Sequence, residues 1–126
     1  MIVISDEIKS LIENNPLALA TVDEENKPHC IAVSFVKVFP PDKLLITDNY
    51  MVETIKNLKR NPNVSLVVWN PNWREECVGY ELRGKAEYFT SGKWYEIVKK
   101  LPENQGEPCK GAILVTIYKI KRLTSE

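Results

Sequence analysis

The sequence predicts a mainly β protein, a closed or nearly closed barrel of six strands with three short helices. Six segments have the apolar alternation or the short apolar run of a strand, and turns rich in Pro, Asn, Asp and Gly separate most of them. Three further segments have helical spacing. A chain of 126 residues is too short for a two-sheet sandwich with added helices, and closing the sheet removes its exposed edges.

The N-terminal part is predicted to form a helix and two strands. Ser5 precedes two acidic residues and an apolar stripe at helical spacing, which is typical of a helix N-terminus. Residues 17–22 form the first strand. Residues 29–39 form a longer second strand, whose alternation places Val33 and Lys37 on the same face.

The remaining elements follow at short intervals. The other predicted strands span residues 43–47, 64–69, 78–89 and 112–120. One helix follows the third strand and ends at Asn61-Pro62, and the last helix spans residues 94–101. Because the sequence has no repeat, low-complexity segment or linker, it predicts a single domain over residues 1–126.

Composition and charge exclude several classes of protein. Lys+Arg and Asp+Glu both number 17, and this absence of a basic surplus argues against a nucleic-acid partner. No apolar run has the length of a membrane span and no signal-peptide pattern opens the chain, so we expect a cytoplasmic protein without a membrane partner. Three widely spaced cysteines and one histidine, His29, predict reduced thiols, no metal site and a simple surface position for the histidine.

The stretch TDNYMVETIKNLKRNP places the end of a strand directly before a helix N-terminus, where backbone N–H groups are free to hold phosphate. Two interpretations stay open. In one, Asp48 or Asn49 caps the helix and Glu53 complements the helix dipole. In the other, backbone N–H groups and the hydroxyls of Thr47 and Thr54 surround a phosphate. Glu53 must then point to solvent, because at about 4 Å it would repel each phosphate charge by roughly 4 kcal/mol.

Three segments carry a family resemblance: LATVDEENKPHCIAVSFVKV, LLITDNYMVETIKNLKRNPNVSLVVW and GYELRGKAEYFTSG. In this order they resemble small FMN-binding split-barrel proteins of the pyridoxamine 5'-phosphate oxidase-like superfamily, from about Leu17 to Ile120. The resemblance implies a six-stranded FMN-binding split barrel and a homodimer, with one FMN per subunit at the subunit interface.

The resemblance also implies where the cofactor binds. In such proteins, FMN contacts the second strand, the end of the third strand and the start of the following helix. The matching cofactor-binding candidates are Ala32, Val33, Ser34, Lys37, Thr47, Asp48, Asn49 and Thr54. The family often has lysine or arginine at the helix start to pair with the phosphate, whereas this chain has Val52, Glu53 and Thr54. We expect Lys37 to supply positive charge beside the flavin ring.

These features predict an FMN-binding protein, either a flavin-dependent oxidoreductase or an electron-transfer protein of unknown substrate. No histidine or tyrosine is fixed at the site by spacing, so the sequence names no catalytic residue. One alternative is a non-catalytic small-molecule binder that holds FMN, the deazaflavin F420 or haem. Another is a structural dimer without a ligand. Oxidation of pyridoxamine phosphate is not expected, because the chain lacks that enzyme type's basic substrate-phosphate residues.

Overall fold

The computed structural model describes residues 1–125, which form a mainly β fold with three short α-helices. The strands are β1 (Leu17–Val22), β2 (Pro28–Val33), β3 (Val36–Phe39), β4 (Lys43–Asp48), β5 (Asn63–Trp69), β6 (Gly79–Phe89) and β7 (Gly111–Arg122). The α-helices are α1 (Asp6–Asn14), α2 (Glu53–Arg60) and α3 (Lys93–Lys99). Short 3₁₀ helices cover Pro102–Asn104 and Leu123–Ser125.

All seven strands of the described chain belong to one antiparallel sheet, in the order β2-β1-β5-β6-β7-β4-β3. The two end strands, β2 and β3, are consecutive in the chain and only Ser34 and Phe35 lie between them. The sheet therefore curls until its two ends approach each other. The backbone N–H of Thr47 on β4 donates to the carbonyl of Phe35 at 3.1 Å, which fixes this connection. The predicted split-barrel fold class is confirmed.

Within residues 1–125 the strand count is seven rather than six, because the predicted strand over residues 29–39 is divided between the two ends of the sheet. β2 pairs with β1, whereas β3 pairs with β4. The two-residue break also changes which positions of the alternating pattern point into the core. Val33 is buried before the break, and Val36 and Val38 are buried after it, so Lys37 lies on the opposite face from the one predicted.

The main core fills the inside of the curled sheet. Its fully buried side chains include Leu19, Leu44, Ile46, Leu66, Val68, Leu82, Ile113 and Val115. Each such side chain contributes roughly 1.5–3 kcal/mol through burial. Helix α1 adds Ile8 and Ile12 to this core, and the predicted N-cap at Ser5 is confirmed because its hydroxyl accepts the N–H of Ile8 at 3.3 Å.

Helix α3 packs on the outside of the sheet, against β4 and β7. A second apolar cluster joins Val98 of α3 to Leu45, Ala112 and Leu114, which point away from the main core. Both faces of β4 are therefore buried, and the apolar run Leu44, Leu45 and Ile46 shows no alternation of apolar and polar residues in the sequence. None of the helices in the described part of the chain is long and apolar enough to cross a membrane.

Candidate functional site

A cavity of about 530 Å³ lies where the edge of β2 meets the end of β4 and the start of α2. Its walls come from residues 29, 31–35, 47 and 49–54, with Glu107 contributed from a distant loop. The volume is in the range of sites for small organic ligands and cofactors. Because β2 is an end strand of the sheet, backbone N–H and C=O groups along its outer edge are not used by a neighbouring strand. The cavity therefore combines an apolar wall with free backbone donors and acceptors.

Six of the eight residues proposed from the sequence line this cavity. They are Ala32, Val33, Ser34, Thr47, Asn49 and Thr54. They come from three elements that are separated along the chain, and the curling of the sheet brings them together. The structure places the other two, Lys37 and Asp48, outside the lining.

Lys37 lies on the outer face of β3, opposite Leu45 in register. Its Nζ is 3.2 Å from a carboxylate oxygen of Glu103, and the two side chains form a partly exposed ion pair. The pKa of Glu103 is lowered by a hydrogen bond from its own backbone N–H and by the pair with Lys37. Lys37 is therefore engaged on the side of the sheet that carries α3.

Asp48 is fully buried at the end of β4, and both of its carboxylate oxygens are used within the protein. One oxygen accepts the backbone N–H of Met51 at 2.9 Å, and the other accepts the hydroxyl of Tyr88 at 2.6 Å. Burial raises the pKa of Tyr88, and its hydrogen bond to Asp48 raises that pKa further. Asp48 thus shapes the turn that leads into α2.

The first turn of α2 faces the cavity without a side-chain cap. Its N-cap is Val52, so the interpretation in which Asp48 or Asn49 caps the helix is wrong. Val52, Glu53 and Thr54 all line the cavity. Because first-turn N–H groups have no partner inside a helix, an uncapped N-terminus retains donors for an anion.

Thr47 supplies a second polar group to the same cavity. Its side chain is 6 % exposed, and its hydroxyl oxygen has no hydrogen-bond partner among the described residues. Thr47 lines the cavity, but its hydroxyl oxygen is itself buried beneath the surface. Because buried polar groups are nearly always hydrogen-bonded, this oxygen is a position where a bound ligand or a water molecule could supply the missing partner.

His29 and Glu53 form a close pair on the cavity wall, with His29 Nδ1 2.6 Å from a Glu53 carboxylate oxygen. The side chain of His29 is 25 % exposed and that of Glu53 is 61 % exposed. His29 is therefore part of the site, whereas the sequence indicated a simple surface residue. No local pattern signals this pair, since His29 is the second residue of β2 and Glu53 is the first residue of α2, far apart in the chain.

Residues 102–110 contribute contacts that the sequence did not reveal. The side-chain amide of Asn49 accepts the backbone N–H of Cys109 at 3.1 Å and donates to Asn104 Oδ1 at 2.7 Å. The hydroxyl of Tyr50 donates to the carboxylate of Glu107. These contacts fasten the loop over the turn between β4 and α2, and they place a second carboxylate at the cavity.

The ionisable groups of the lining are unusual for a phosphate site. Apart from the tyrosine hydroxyl, the charged or titratable side chains that line the cavity within residues 1–125 are His29, Glu53 and Glu107. No lysine or arginine is among these lining residues. In the same described part of the chain, no group of three or more His, Cys, Asp or Glu residues is placed to bind a metal ion.

Comparison with known proteins gives a consistent family match. The family model of pyridoxamine 5'-phosphate oxidase matches residues 4–122. An uncharacterized protein of Methanocaldococcus jannaschii is 29 % identical, over 97 % of this chain and 82 % of that protein. The pyridoxine/pyridoxamine 5'-phosphate oxidase of Microcystis aeruginosa is 30 % identical, over 90 % of this chain but only 53 % of that enzyme. The chain therefore spans about half of the length of this oxidase.

Solved structures with a similar fold include the following three. HupZ of Group A Streptococcus has a TM-score of 0.87 at 26 % identity, over 97 % of this chain and 95 % of that one. An FMN-binding protein of Syntrophomonas wolfei has a TM-score of 0.77 at 17 % identity, covering 91 % of this chain and 82 % of that one. HutZ of Vibrio cholerae, a haem storage protein, has a TM-score of 0.71 at 16 % identity, covering 96 % and 95 %. At their low identities, the last two show a shared fold alone.

Proposed function

This chain belongs to the pyridoxamine 5'-phosphate oxidase family, and on that premise we propose that it binds FMN in the cavity beside β2 and acts as a flavin-dependent oxidoreductase or electron-transfer protein. The proposed cofactor-binding residues are those of the candidates that line the cavity: Ala32, Val33, Ser34, Thr47, Asn49 and Thr54. Lys37 and Asp48 are left out of this set because their side chains are engaged with Glu103 and Tyr88.

The observation that carries the proposal is the meeting of two polar features in one cavity. The uncapped N-terminus of α2 lines it, and so does Thr47, whose buried hydroxyl has no hydrogen-bond partner among the described residues. A phosphate at this end would accept hydrogen bonds from the first-turn N–H groups and from the hydroxyl of Thr54. The Thr47 hydroxyl would then gain the partner that it lacks.

The rest of the cavity suits a flat, mostly apolar ring. Ile31, Phe35 and Met51 give it an apolar wall, and the free edge of β2 adds backbone donors and acceptors near Val33 and Ser34. FMN bound there would supply the hydride or single-electron chemistry, while the protein binds and orients it and limits the access of water.

We also propose a homodimer that places FMN at the subunit interface. The cavity opens beside Ala32, which is exposed. Ala32 continues into a row of small apolar residues across the outer face of the sheet, since Ala18 pairs with both Ala32 and Val67. A second copy packed on this row would cover the open side of the cavity, and self-complementary apolar patches of this kind favour twofold dimers.

A second candidate function is a non-catalytic binder of FMN, F420 or haem on the same barrel. It is favoured by one observation: among the described residues, no lysine or arginine lines the cavity, so the phosphate of FMN has no permanently cationic partner there. The absence of lysine and arginine from the described lining is also compatible with a structural dimer that binds no ligand.

The test is to identify the ligand and then measure its chemistry. Protein purified under native conditions is analysed by mass spectrometry for bound small molecules, and ligand-free protein is titrated with FMN, F420 and haem. We expect FMN to bind saturably, and reduction of the bound FMN by NADH or NADPH to exceed that of free FMN. Saturable binding of F420 or haem, with none of FMN, would contradict the cofactor assignment. FMN binding without accelerated reduction would favour the second candidate.

A further inference from the structure

The His29–Glu53 pair leads to an inference about how the site distinguishes ligands, and it rests on the proposed binding of FMN. We propose that His29 is the specificity-determining residue at the phosphate end of the cavity. Protonated, it is the counter-charge that allows a phosphate to bind beside Glu53. Binding of FMN then takes up one proton on His29, whereas binding of riboflavin, which has no phosphate, takes up none.

The geometry of the pair assigns the two nitrogens of the imidazole ring. Nδ1 lies 2.6 Å from a carboxylate oxygen of Glu53, which can only accept a hydrogen bond when ionised, so Nδ1 carries a hydrogen. Nε2 is the nitrogen left for a ligand. In the neutral ring Nε2 presents a lone pair, which repels a phosphate oxygen, and in the protonated ring it presents an N–H donor. Protonation therefore changes this wall from an acceptor to a charged donor.

The location of the pair matters as much as its geometry. Glu53 is the first residue of α2, and it lines the cavity together with His29, Thr54 and Thr47. The 2.6 Å contact with Glu53 places His29 beside the uncapped N-terminus of α2. A phosphate held there lies beside both members of the pair.

The surrounding charges leave His29 as the group that responds to an anion. Glu107 is the other carboxylate of the lining, and it adds negative charge. On the far side of Glu53, an adjacent cleft of about 230 Å³ contains Lys56 and Arg60 together with three acidic residues of the turn after β1. The strand partner of His29 on β1 is the uncharged Thr21. Lys110 is outside the lining, and its ammonium donates to the backbone carbonyl of Met51. Among the described residues that line the main cavity, His29 alone has a side chain that can carry a positive charge.

The expected linkage is reciprocal and measurable. If a phosphate dianion favours protonated His29, then protonation favours the phosphate by the same factor. The Kd for FMN is expected to rise with pH, by up to about tenfold per unit, over the range in which binding takes up one proton. The Kd for riboflavin is expected to stay constant over that range.

The experiment is isothermal titration calorimetry at about pH 8, where histidine is ordinarily neutral and a phosphate monoester is a dianion. Each titration is repeated in two buffers that differ in ionisation enthalpy, which gives the number of protons taken up. FMN and riboflavin are compared in wild-type protein and in the variants His29→Asn, Glu53→Gln and Glu24→Gln. Glu24 is an exposed acidic residue of the adjacent cleft and serves as the control for removing one negative charge.

We expect uptake of nearly one proton with FMN and none with riboflavin in the wild type. His29→Asn should abolish the uptake and make the Kd for FMN independent of pH, and a circular dichroism spectrum equal to that of the wild type is the evidence of folding. Glu53→Gln should tighten FMN binding about tenfold at this pH, and Glu24→Gln should change it less than twofold.

Two results would overturn the inference while leaving the proposed function standing: FMN binding without proton uptake, or uptake that persists in His29→Asn because the proton resides on the phosphate or on a carboxylate. Failure of both FMN and riboflavin to bind would instead overturn the proposed function and this inference together.

Discussion

The hydroxyl of Tyr88 on β6 donates a hydrogen bond of 2.6 Å to Oδ2 of Asp48, which is fully buried at the end of β4. Tyr88 reaches this carboxylate across β7, where Gly111 stands opposite Asp48 in register. An added Cβ at Gly111 would overlap the Tyr88 ring, so only glycine leaves room for the contact. The other Asp48 oxygen holds Met51, and the carboxylate therefore joins the sheet to the turn that begins α2.

Replacing Tyr88 by phenylalanine tests the structural role of this contact. The substitution leaves a buried carboxylate without one of its two donors, so the free energy of unfolding is expected to fall by about 1–3 kcal/mol. Urea denaturation measures the effect. The control is Tyr118→Phe on the exposed part of β7, which should change stability by less than about 0.5 kcal/mol. Equal stability of Tyr88→Phe and the wild type would show that Asp48 finds another partner.

The same contact predicts a dependence of stability on alkaline pH. Burial, followed by the hydrogen bond to Asp48, raises the pKa of Tyr88 in the folded protein above its ordinary value of 10.0. This contribution to stability is complete below that ordinary value and is lost as the pH rises toward the folded-state pKa. The free energy of unfolding of the wild type should therefore decline more steeply above about pH 10 than that of Tyr88→Phe. Urea denaturation measures both. Equal declines of the free energy of unfolding in the wild type and in Tyr88→Phe would show that Tyr88 does not cause the loss of stability.

Thr47→Val separates a ligand-binding role from a structural one. Valine has nearly the same shape and removes a buried hydroxyl that has no partner, so stability should rise slightly or stay within about 0.5 kcal/mol. FMN affinity should fall about five- to tenfold, which corresponds to one hydrogen bond.

Thr21→Val is the matched control for this substitution. Thr21 is also buried, but its hydroxyl accepts from Asn57 Nδ2 at 3.0 Å, so this variant should lose about 1–3 kcal/mol of stability. The measurements are the free energy of unfolding and the Kd for FMN of each of the two variants. A loss of stability in Thr47→Val with unchanged FMN affinity would assign the hydroxyl to the structure.

Asn49→Ala tests the attachment of residues 102–110. Asn49 makes two side-chain hydrogen bonds to this loop, to Cys109 and Asn104, and their loss should reduce stability by about 1–3 kcal/mol. Amide hydrogen exchange should show faster exchange at Cys109, whose backbone N–H loses its acceptor. Gln105→Ala, at an exposed position in the same loop, should leave both properties unchanged. Unaltered exchange at Cys109 in Asn49→Ala would mean that other contacts hold the loop.

Val67→Lys tests the proposed homodimer. Val67 lies in the small apolar row on the outer sheet face, and lysine there can pair within the chain with Glu81, its partner in register on β6. The variant should fold, but its charge would oppose burial against a second copy. Light scattering should give the mass of two chains for the wild type and of one chain for the variant. Tyr118→Glu, outside this row, should remain a dimer; a monomeric wild type would reject the proposal.

Most of the predicted elements, apart from the strand over residues 29–39, agree with the structure because they depend on local patterns. Residues 78–89 alternate over many positions, and β6 covers Gly79–Phe89 with Tyr80, Leu82 and Ala86 buried. The strand–turn–helix around Thr47 and Thr54 is equally local, and both residues line the cavity. Periodicity and turn residues act within a few positions, so a single sequence contains this information.

The break at Ser34-Phe35 shows where local patterns fail. The strand predicted over residues 29–39 runs through it, yet the chain leaves one end of the sheet and joins the other. Because of that change of partner strand, Lys37 lies on the opposite face of the sheet from the one predicted. It is beside Glu103 and not in the cavity. Pairing between strands, rather than the order of residues, decides which way a side chain points.

The helices, most of the strands, the family resemblance and six residues of the cavity lining could be predicted from the amino-acid sequence alone. The closure of the sheet decided that His29 meets Glu53, that Asp48 is used by Tyr88, and that Glu107 reaches the cavity. The His29–Glu53, Asp48–Tyr88 and Tyr50–Glu107 contacts join residues 24 to 57 positions apart. Such contacts form only when distant elements pack together, and no periodic pattern in the chain specifies them.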